Sequence, residues 1–190
     1  MKQGFVKVAS ATPRIRVADP VYNAQVICEQ AKEAAEHGAK IVVFPELCIT
    51  GYTCNDLFLQ ELLLEKAKEA LLTIAEETGQ LETLFLVGLP VDKDGRLYNV
   101  AAVLYRGRIL GMIPKKNIPM YAEFYEGRHF TPGEETVTEY RLGKQVIPFG
   151  SNLLFRCEEL PELILGCELC EDLWVAEPPS TSHALMGATV

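Results

Sequence analysis

The first 44 residues carry the pattern that most restricts the fold: a strand, a helix and a second strand, in that order. Residues 5–11 alternate between apolar and polar side chains, as in a half-buried strand. Small apolar residues then recur at helical spacing between Asp19-Pro20, which opens a helix, and Gly38, which ends it. A short strand of the buried type follows at residues 40–44. Because a helix joins the two strands, we expect them to pair in parallel within a layered α/β fold.

Later apolar patterns predict a second helix and several more strands. The helix is expected at residues 56–77. The strands are expected at residues 83–87, in a hairpin of 99–105 with 108–113, in a hairpin of 146–149 with 153–157, and at residues 163–169. The segment 114–133 is irregular and rich in proline, glycine and aromatic residues, and long segments of this kind are often functional.

The end of the sequence predicts a fragment of a longer protein. A short helix after Ser180 runs to about Gly187, and residues 188–190 resemble the opening of a further strand. A strand that starts and then stops suggests that more chain follows. The 190 residues are 48% apolar, which is enough for one compact core, so we expect one domain.

Charge and cysteine content exclude several classes of partner and compartment. The net charge of −8 repels phosphate backbones, so nucleic acid is not an expected partner. The apolar stretch at the N-terminus is interrupted by Lys7 and is too short for a signal peptide, and no segment approaches the roughly 20 apolar residues that span a bilayer. We therefore expect a cytoplasmic protein whose six cysteines are free thiols.

Three apolar strands are each followed by a reactive side chain. Glu46 follows the strand at 40–44, Lys115 follows the first hairpin, and Cys170 ends an apolar run. Sites in layered α/β proteins collect at this edge of the sheet. A partly desolvated carboxylate suits a general base, an ammonium can stabilise an oxyanion, and a thiol beside a base or cation can become a nucleophile. Taken one at a time, the three are more simply a capping or solvated glutamate, a surface lysine and a buried cysteine.

A second interpretation of Cys170 is a zinc or redox pair with Cys167, since the two form a C-x-x-C word. No second C-x-x-C completes a site of four ligands. On one strand the two side chains would also point to opposite faces. Nucleophilic use of Cys170 is therefore the stronger prediction.

Taken together, the order Glu, Lys, Cys and the words around these residues resemble the carbon–nitrogen hydrolase superfamily of nitrilase-like amidases. The matching words are FPELCITGY around Glu46, PKKNIP around Lys115 and CEDLW around Cys170. Finer words narrow the resemblance: GYTCNDL at 51–57, YAEFYEGRHFTPG at 121–133, and the Pro-Pro-Ser that follows CEDLW. With these, the chain is similar to the N-terminal glutaminase domains of glutamine-dependent NAD synthetases.

The resemblance implies a nitrilase-like α-β-β-α sandwich that is incomplete at the C-terminus. Residues 1–190 would be the N-terminal portion of the glutaminase domain, and the synthetase domain is absent from this chain. Consistent with this, neither a Ser-Gly-Gly-x-Asp-Ser word nor a G-x-x-x-x-G-K-[ST] phosphate loop occurs in the sequence. A serine and an arginine that grip glutamine in the family lie further downstream, so we expect the isolated chain to be weak or inactive.

The resemblance also implies roles. Glu46 would be the general base, Cys170 the nucleophile, and Lys115, with a backbone amide after Cys170, the holder of the oxyanion. On electrostatic grounds, a cation such as Lys115 is expected to lower the pKa of the Cys170 thiol from its usual value of about 8.5.

Four further residues are implied around the substrate. Glu126 would orient Lys115 or the substrate, Tyr121 would contact the substrate, and the backbone of Tyr52 would line the pocket. Glu171 would lie beside the nucleophile.

Partners and cofactors follow from the same resemblance. Glutamine would be the substrate, and the glutaminase step needs no cofactor or metal. ATP, Mg²⁺ and deamido-NAD would bind to the missing synthetase domain, and the protein would form a homo-oligomer. The alternatives are a free-standing amidase or carbamoyl-amide hydrolase of the same superfamily, and an interaction module without catalysis.

Overall fold

The computed structural model describes residues 5–190; residues 1–4, which open the stretch considered above as a signal peptide, lie outside this range. The helices of the described part are α1 Pro20–Glu36, α2 Glu61–Glu77 and α3 Pro179–Leu185. Its strands are β1 Val8–Ser10, β2 Ile41–Val43, β3 Leu84–Lys93, β4 Arg96–Tyr105, β5 Arg108–Pro114, β6 Thr138–Leu142, β7 Gln145–Phe149, β8 Phe155–Arg156 and β9 Ile164–Leu165. Within these residues, no helix has both the length and the apolar character needed to cross a bilayer.

Seven strands form one mixed sheet in the order β1-β2-β3-β4-β5-β7-β6. The pairs β1–β2, β2–β3 and β5–β7 are parallel, whereas β3–β4, β4–β5 and β6–β7 are antiparallel. The parallel pairing of the first two strands, predicted from the helix between them, is confirmed. The strands β8 and β9 form a separate antiparallel pair.

Alternate side chains of the central strands enter two different cores. Phe85 and Val87 of β3 pack with the helical residues Ile27 and Leu71 on one face of the sheet. Leu86, between them, packs on the other face in a second core that includes Leu165 of β9 and Leu169. Both faces of the sheet are therefore covered, which explains why the strand sequences are almost continuously apolar. The result is a helix layer, a seven-stranded sheet and a small second sheet, in agreement with the α/β class.

The first helix shows how the sequence sets an element boundary. The carboxylate of Asp19 accepts the backbone N–H of Tyr22 at 3.1 Å, and Pro20 occupies the first turn, where a missing N–H costs nothing. The chain leaves the helix at Gly38, whose φ of +83° suits glycine.

Several predicted boundaries were wrong. The strand predicted at 5–11 is limited to Val8–Ser10, and the helix predicted at 56–77 is two elements, a 3₁₀ segment Tyr52–Leu59 and α2. Gln60, with an extended backbone (φ −89°, ψ 121°), separates the two, and Asn55, with φ of +50°, kinks the 3₁₀ segment itself. The strand predicted at 83–87 continues to Lys93 and forms a hairpin with β4.

The strand pairing after residue 137 also differs from the prediction. The hairpin of 146–149 with 153–157 does not form, because β7 pairs with β6 around a turn at Gly143 and β8 pairs with β9. The strand predicted at 163–169 is limited to Ile164–Leu165. Residues 188–190 are not a strand, although the backbone N–H of Val190 donates to the carbonyl of Ile164 at 3.1 Å.

Candidate active site

The sheet brings three of the predicted residues to one place. Glu46 follows β2, Lys115 directly follows β5, and Cys170 opens a 3₁₀ segment, Cys170–Trp174, beyond β9. In the sheet, β2 is separated from β5 by β3 and β4. Glu46 and Lys115 therefore meet across two paired strands, and Cys170 approaches them from outside the seven-stranded sheet.

Lys115 lies at the centre of the cluster and is fully buried. Its Nζ donates to Oε1 of Glu46 at 2.8 Å and to the two carboxylate oxygens of Glu126 at 2.8 and 3.0 Å. Burial alone would lower the pKa of Lys115, but the charges and hydrogen bonds of the two carboxylates outweigh it and the pKa is raised. Lys115 is therefore a permanent cation held by two anions.

Glu46 is placed by a close approach of two backbones. A Cβ atom on Gly88 of β3 would lie 2.4 Å from the backbone nitrogen of Leu47 and 2.7 Å from the carbonyl oxygen of Pro45. Only glycine leaves room for the chain around Glu46 at this point. Leu47 itself has φ of +52°, and the N–H of Ile49 donates to the carbonyl of Gly88 at 3.1 Å, so the turn is anchored to β3.

Cys170 occupies a strained backbone conformation on the exposed side of the cluster, with φ of +47°. Partial burial of its thiol is the largest cause of a raised pKa; Glu46 raises it further, while Lys115 lowers it. The expectation that Lys115 would leave the pKa below its usual value is corrected, because burial and the carboxylates prevail. The thiol is therefore protonated at rest and lies next to a carboxylate that can accept its proton.

Asp172 joins the Cys170 segment to the Lys115 segment, and the sequence reasoning missed it. Its Oδ1 accepts the backbone N–H of Asn117 at 2.7 Å and the Asn117 side chain at 2.9 Å. Its Oδ2 accepts the N–H of Leu169 at 3.1 Å and that of Lys116 at 3.4 Å. The side chain is almost fully buried, and an acidic residue directly after a C-E pair was the available signal.

Asn99 of β4 is a second missed residue. Its Nδ2 donates to Oε1 of Glu46 at 2.7 Å, and its carbonyl accepts the backbone N–H of Lys115 at 2.8 Å. The signal in the sequence is a single amide followed by an apolar run that continues to Leu104. Such an amide must find a partner or remain unsatisfied.

The four residues implied as substrate contacts divide into two pairs. The Tyr52 hydroxyl donates to Oε1 of Glu126 at 2.7 Å, and burial, followed by this hydrogen bond, raises the pKa of Tyr52. Tyr121 donates to Oε2 of Glu171 at 2.7 Å on the exposed side, which raises the pKa of Tyr121. The first pair adjoins Lys115 through Glu126, and the second includes the neighbour of Cys170.

A cavity of about 240 Å³ opens beside Tyr52 and Glu126. Its walls are mainly aromatic and include Phe58, Phe124, Tyr125, His129 and Phe130. Oδ1 of Asp56, in the 3₁₀ segment Tyr52–Leu59, lies 2.7 Å from Nε of Arg128 and 3.0 Å from Nε2 of His129. These contacts join the two chain segments that line the cavity. An aromatic recess with a few polar groups beside a reactive cluster is the usual form of a small-molecule site.

The zinc or redox interpretation of Cys167 and Cys170 would need further ligands near the two thiols. In the part of the chain that the structure describes, no group of three or more His, Cys, Asp or Glu side chains could hold a metal ion. Burial raises the pKa of Cys167 to about 12, which keeps this thiol protonated. Cys170 is therefore the more exposed of the two thiols, and it lies within the influence of Glu46 and Lys115.

Comparison with known proteins agrees with this geometry. Residues 7–190 match the carbon-nitrogen hydrolase family. All of the chain aligns with the glutamine-dependent NAD(+) synthetase of Mycobacterium tuberculosis (strain ATCC 25618 / H37Rv) at 41% identity, and 97% of it aligns with that of Thermotoga maritima at 32%. In both cases the chain spans 28% of the relative's length.

Solved structures give the same fold. The glutamine-dependent NAD(+) synthetase from Cytophaga hutchinsonii superposes with a TM-score of 0.84 and 29% identity over 97% of this chain and 29% of its own. A Nesterenkonia amidase of the nitrilase superfamily superposes with a TM-score of 0.57 and 24% identity over 75% of this chain and 54% of its own. These matches confirm the predicted nitrilase-like α/β fold. With its matching sequence, its fold and its Glu46, Lys115 and Cys170 in one cluster, the chain belongs to the carbon-nitrogen hydrolase family.

Proposed function

We propose that this chain is the glutaminase part of a glutamine-dependent NAD synthetase, in which Cys170 cleaves the side-chain amide of glutamine to supply ammonia. The observation that carries the proposal is the 41% identity, over the whole chain, to proteins of that name. The contact of Glu46 with Lys115 at 2.8 Å, beside a protonated thiol, supplies the groups that amide cleavage through a cysteine requires.

In the proposed reaction, the sulfur of Cys170 attacks the amide carbon while Glu46 accepts the thiol proton. The oxyanion is held by Lys115 and the backbone N–H after Cys170. Glu46 then passes the proton to the leaving nitrogen, the carbon–nitrogen bond breaks, and ammonia departs. Water, deprotonated by Glu46, attacks the thioester and releases glutamate and the thiol.

The remaining partners belong to the rest of such a synthetase. There, ATP with Mg²⁺ would activate the carboxylate of deamido-NAD, and ammonia would attack it to give NAD. Ammonia made inside protein escapes the protonation that it meets in bulk water, which explains why the two activities belong together. The glutaminase step itself would need no cofactor, and such an enzyme would work in the cytoplasm as a homo-oligomer.

The test is release of glutamate from glutamine by the full-length protein, by this chain, and by Cys170→Ala and Cys167→Ala variants of each. Cys167→Ala is the matched control, because this thiol lies three residues away, is half-buried and packs against the second core. We expect full-length activity that Cys170→Ala abolishes and Cys167→Ala retains, and a weak rate for the chain alone.

Other outcomes would separate the alternatives. Hydrolysis of short aliphatic amides through Cys170, with glutamine untouched, would favour the free-standing amidase. Full-length activity that survives Cys170→Ala would show that Cys170 is not the nucleophile and would favour an interaction module. Equal losses in the two cysteine variants, with bound zinc, would favour the C-x-x-C site.

A further inference from the structure

Asn99 contacts two members of the cluster at once. The side-chain Nδ2 donates to Oε1 of Glu46 at 2.7 Å, and the backbone carbonyl accepts the N–H of Lys115 at 2.8 Å. The residue is fully buried in β4. One residue therefore fixes both the carboxylate and the start of the segment that carries the cation.

The two nitrogen donors to Glu46 converge on a single oxygen. Lys115 Nζ reaches Oε1 at 2.8 Å, and Asn99 Nδ2 reaches the same atom at 2.7 Å. Within residues 5–190, no N–H or O–H group donates to Oε2 of Glu46. The Cys170 thiol lies near enough to this carboxylate for the charge of Glu46 to raise the pKa of the thiol. The oxygen that remains for the thiol proton is therefore Oε2.

The amide of Asn99 is retained at a cost to folding. Its Oδ1 is buried and has no hydrogen-bond partner in the described part of the chain. A buried acceptor without a partner destabilises the folded state, and a leucine, branched in the same way, would avoid that loss. Packing of β4 therefore gives no reason for an asparagine here, whereas the donor to Glu46 does.

We propose that Asn99 is a positioning residue that occupies Oε1 of Glu46 and so directs Oε2 toward the thiol of Cys170. The choice of substrate rests on the proposed function, but the proton transfer concerns only Glu46 and Cys170. The titratable groups around Glu46 are Lys115 and Cys170, with Glu126 bonded to Lys115 and Tyr52 bonded to Glu126.

The informative change is Asn99→Leu, which removes the donor and keeps the number and branching of the side-chain heavy atoms. Without it, the charged carboxylate is less well stabilised and binds its proton at higher pH. We expect the acidic limb of kcat/KM to move up by about one pH unit and kcat to fall about 10- to 100-fold, with KM little changed. Asn99→Asp, which sets a second carboxylate against Glu46, is expected to move the limb further.

Asn23→Leu is the matched control, because Asn23 is also a fully buried asparagine. Its Nδ2 donates to the carbonyls of Arg16 at 2.7 Å and Ile49 at 2.9 Å rather than to Glu46. We expect Asn23→Leu to lower the stability against guanidinium and leave the acidic limb in place. We expect Asn99→Leu to move the acidic limb without lowering the stability against guanidinium. If Asn99 served only the fold, the two variants would behave alike.

A second measurement needs no substrate. The rate of Cys170 alkylation by iodoacetamide is followed by peptide mass spectrometry on the 190-residue chain between about pH 4 and 8. We expect Asn99→Leu to shift its acidic limb upward as well. If neither limb moves, the positioning role is overturned. If wild-type protein leaves glutamine untouched while the alkylation limb still moves, the proposed function fails and the positioning role stands.

Discussion

Replacing Lys115 by methionine tests the electrostatic core of the site. Methionine matches the aliphatic stem but leaves Glu46 and Glu126 without their cation. The Glu46 side chain is 18% exposed and can regain water, whereas Glu126 is only 5% exposed and cannot. Removing one partner of a buried ion pair costs about 3–5 kcal/mol. We therefore expect Lys115→Met to lower the free energy of unfolding by about that amount at neutral pH, mostly through Glu126.

A guanidinium titration of the purified chain measures this loss, and a second substitution identifies its source. Adding Glu126→Gln to Lys115→Met removes the stranded charge and should recover at least half of the loss. Lys32→Met is the control, because Lys32 pairs with Glu77 at 2.6 Å with both side chains about half exposed, and it should leave the transition nearly unchanged.

The loss should depend on pH in a defined direction. The pKa of Lys115 is raised in the folded state, so its stabilisation is fully present below the unfolded value of about 10.4 and disappears as pH rises through the folded value. A loss under about 1 kcal/mol at pH 7, or no recovery with Glu126→Gln, would refute the assigned ion cluster.

Two further substitutions test how the site is held. Asp172→Asn turns an amide N–H₂ toward N–H donors of Asn117. We expect slower glutamine turnover, altered Cys170 alkylation and about 1–3 kcal/mol less stability against guanidinium. Unchanged alkylation would show that Asp172 does not fix the nucleophile. Gly88→Ala sets a Cβ 2.4 Å from the nitrogen of Leu47. We expect the free energy of unfolding to fall by about 1–3 kcal/mol and kcat to fall about 100-fold. Wild-type kinetics would mean that the turn around Glu46 adapts freely.

Residues that follow a strand were predictable, whereas residues inside one were not. Glu46 and Lys115 each interrupt an apolar pattern at its end, where side chains of layered α/β proteins meet. Asn99 lies within β4, and nothing local shows that its amide faces Glu46 across the sheet. Its role depends on the register of β3 with β4, in which Pro90 lies opposite Asn99.

Turns were the other source of error. Asp94 and Gly95 connect β3 to β4, and both have positive φ, as a tight hairpin requires. The prediction ended the strand at residue 87 and so missed this hairpin. Further along the chain, the pairing of β8 with β9 depends on contacts with the face of the large sheet, which no short window of sequence contains.

The pairing of one lysine with two carboxylates sets the timing of catalysis in the proposed reaction. At rest, both Glu46 and Glu126 oppose the charge of Lys115 from 2.8 Å. When Glu46 takes the thiol proton it becomes neutral, and part of the lysine's field is released at the moment that the oxyanion forms. When the proton leaves with ammonia, Glu46 is charged again and the field is once more opposed. The proton that activates the nucleophile thereby also controls how strongly the charge of Lys115 acts on the oxyanion. Glu126 keeps Lys115 charged throughout the cycle.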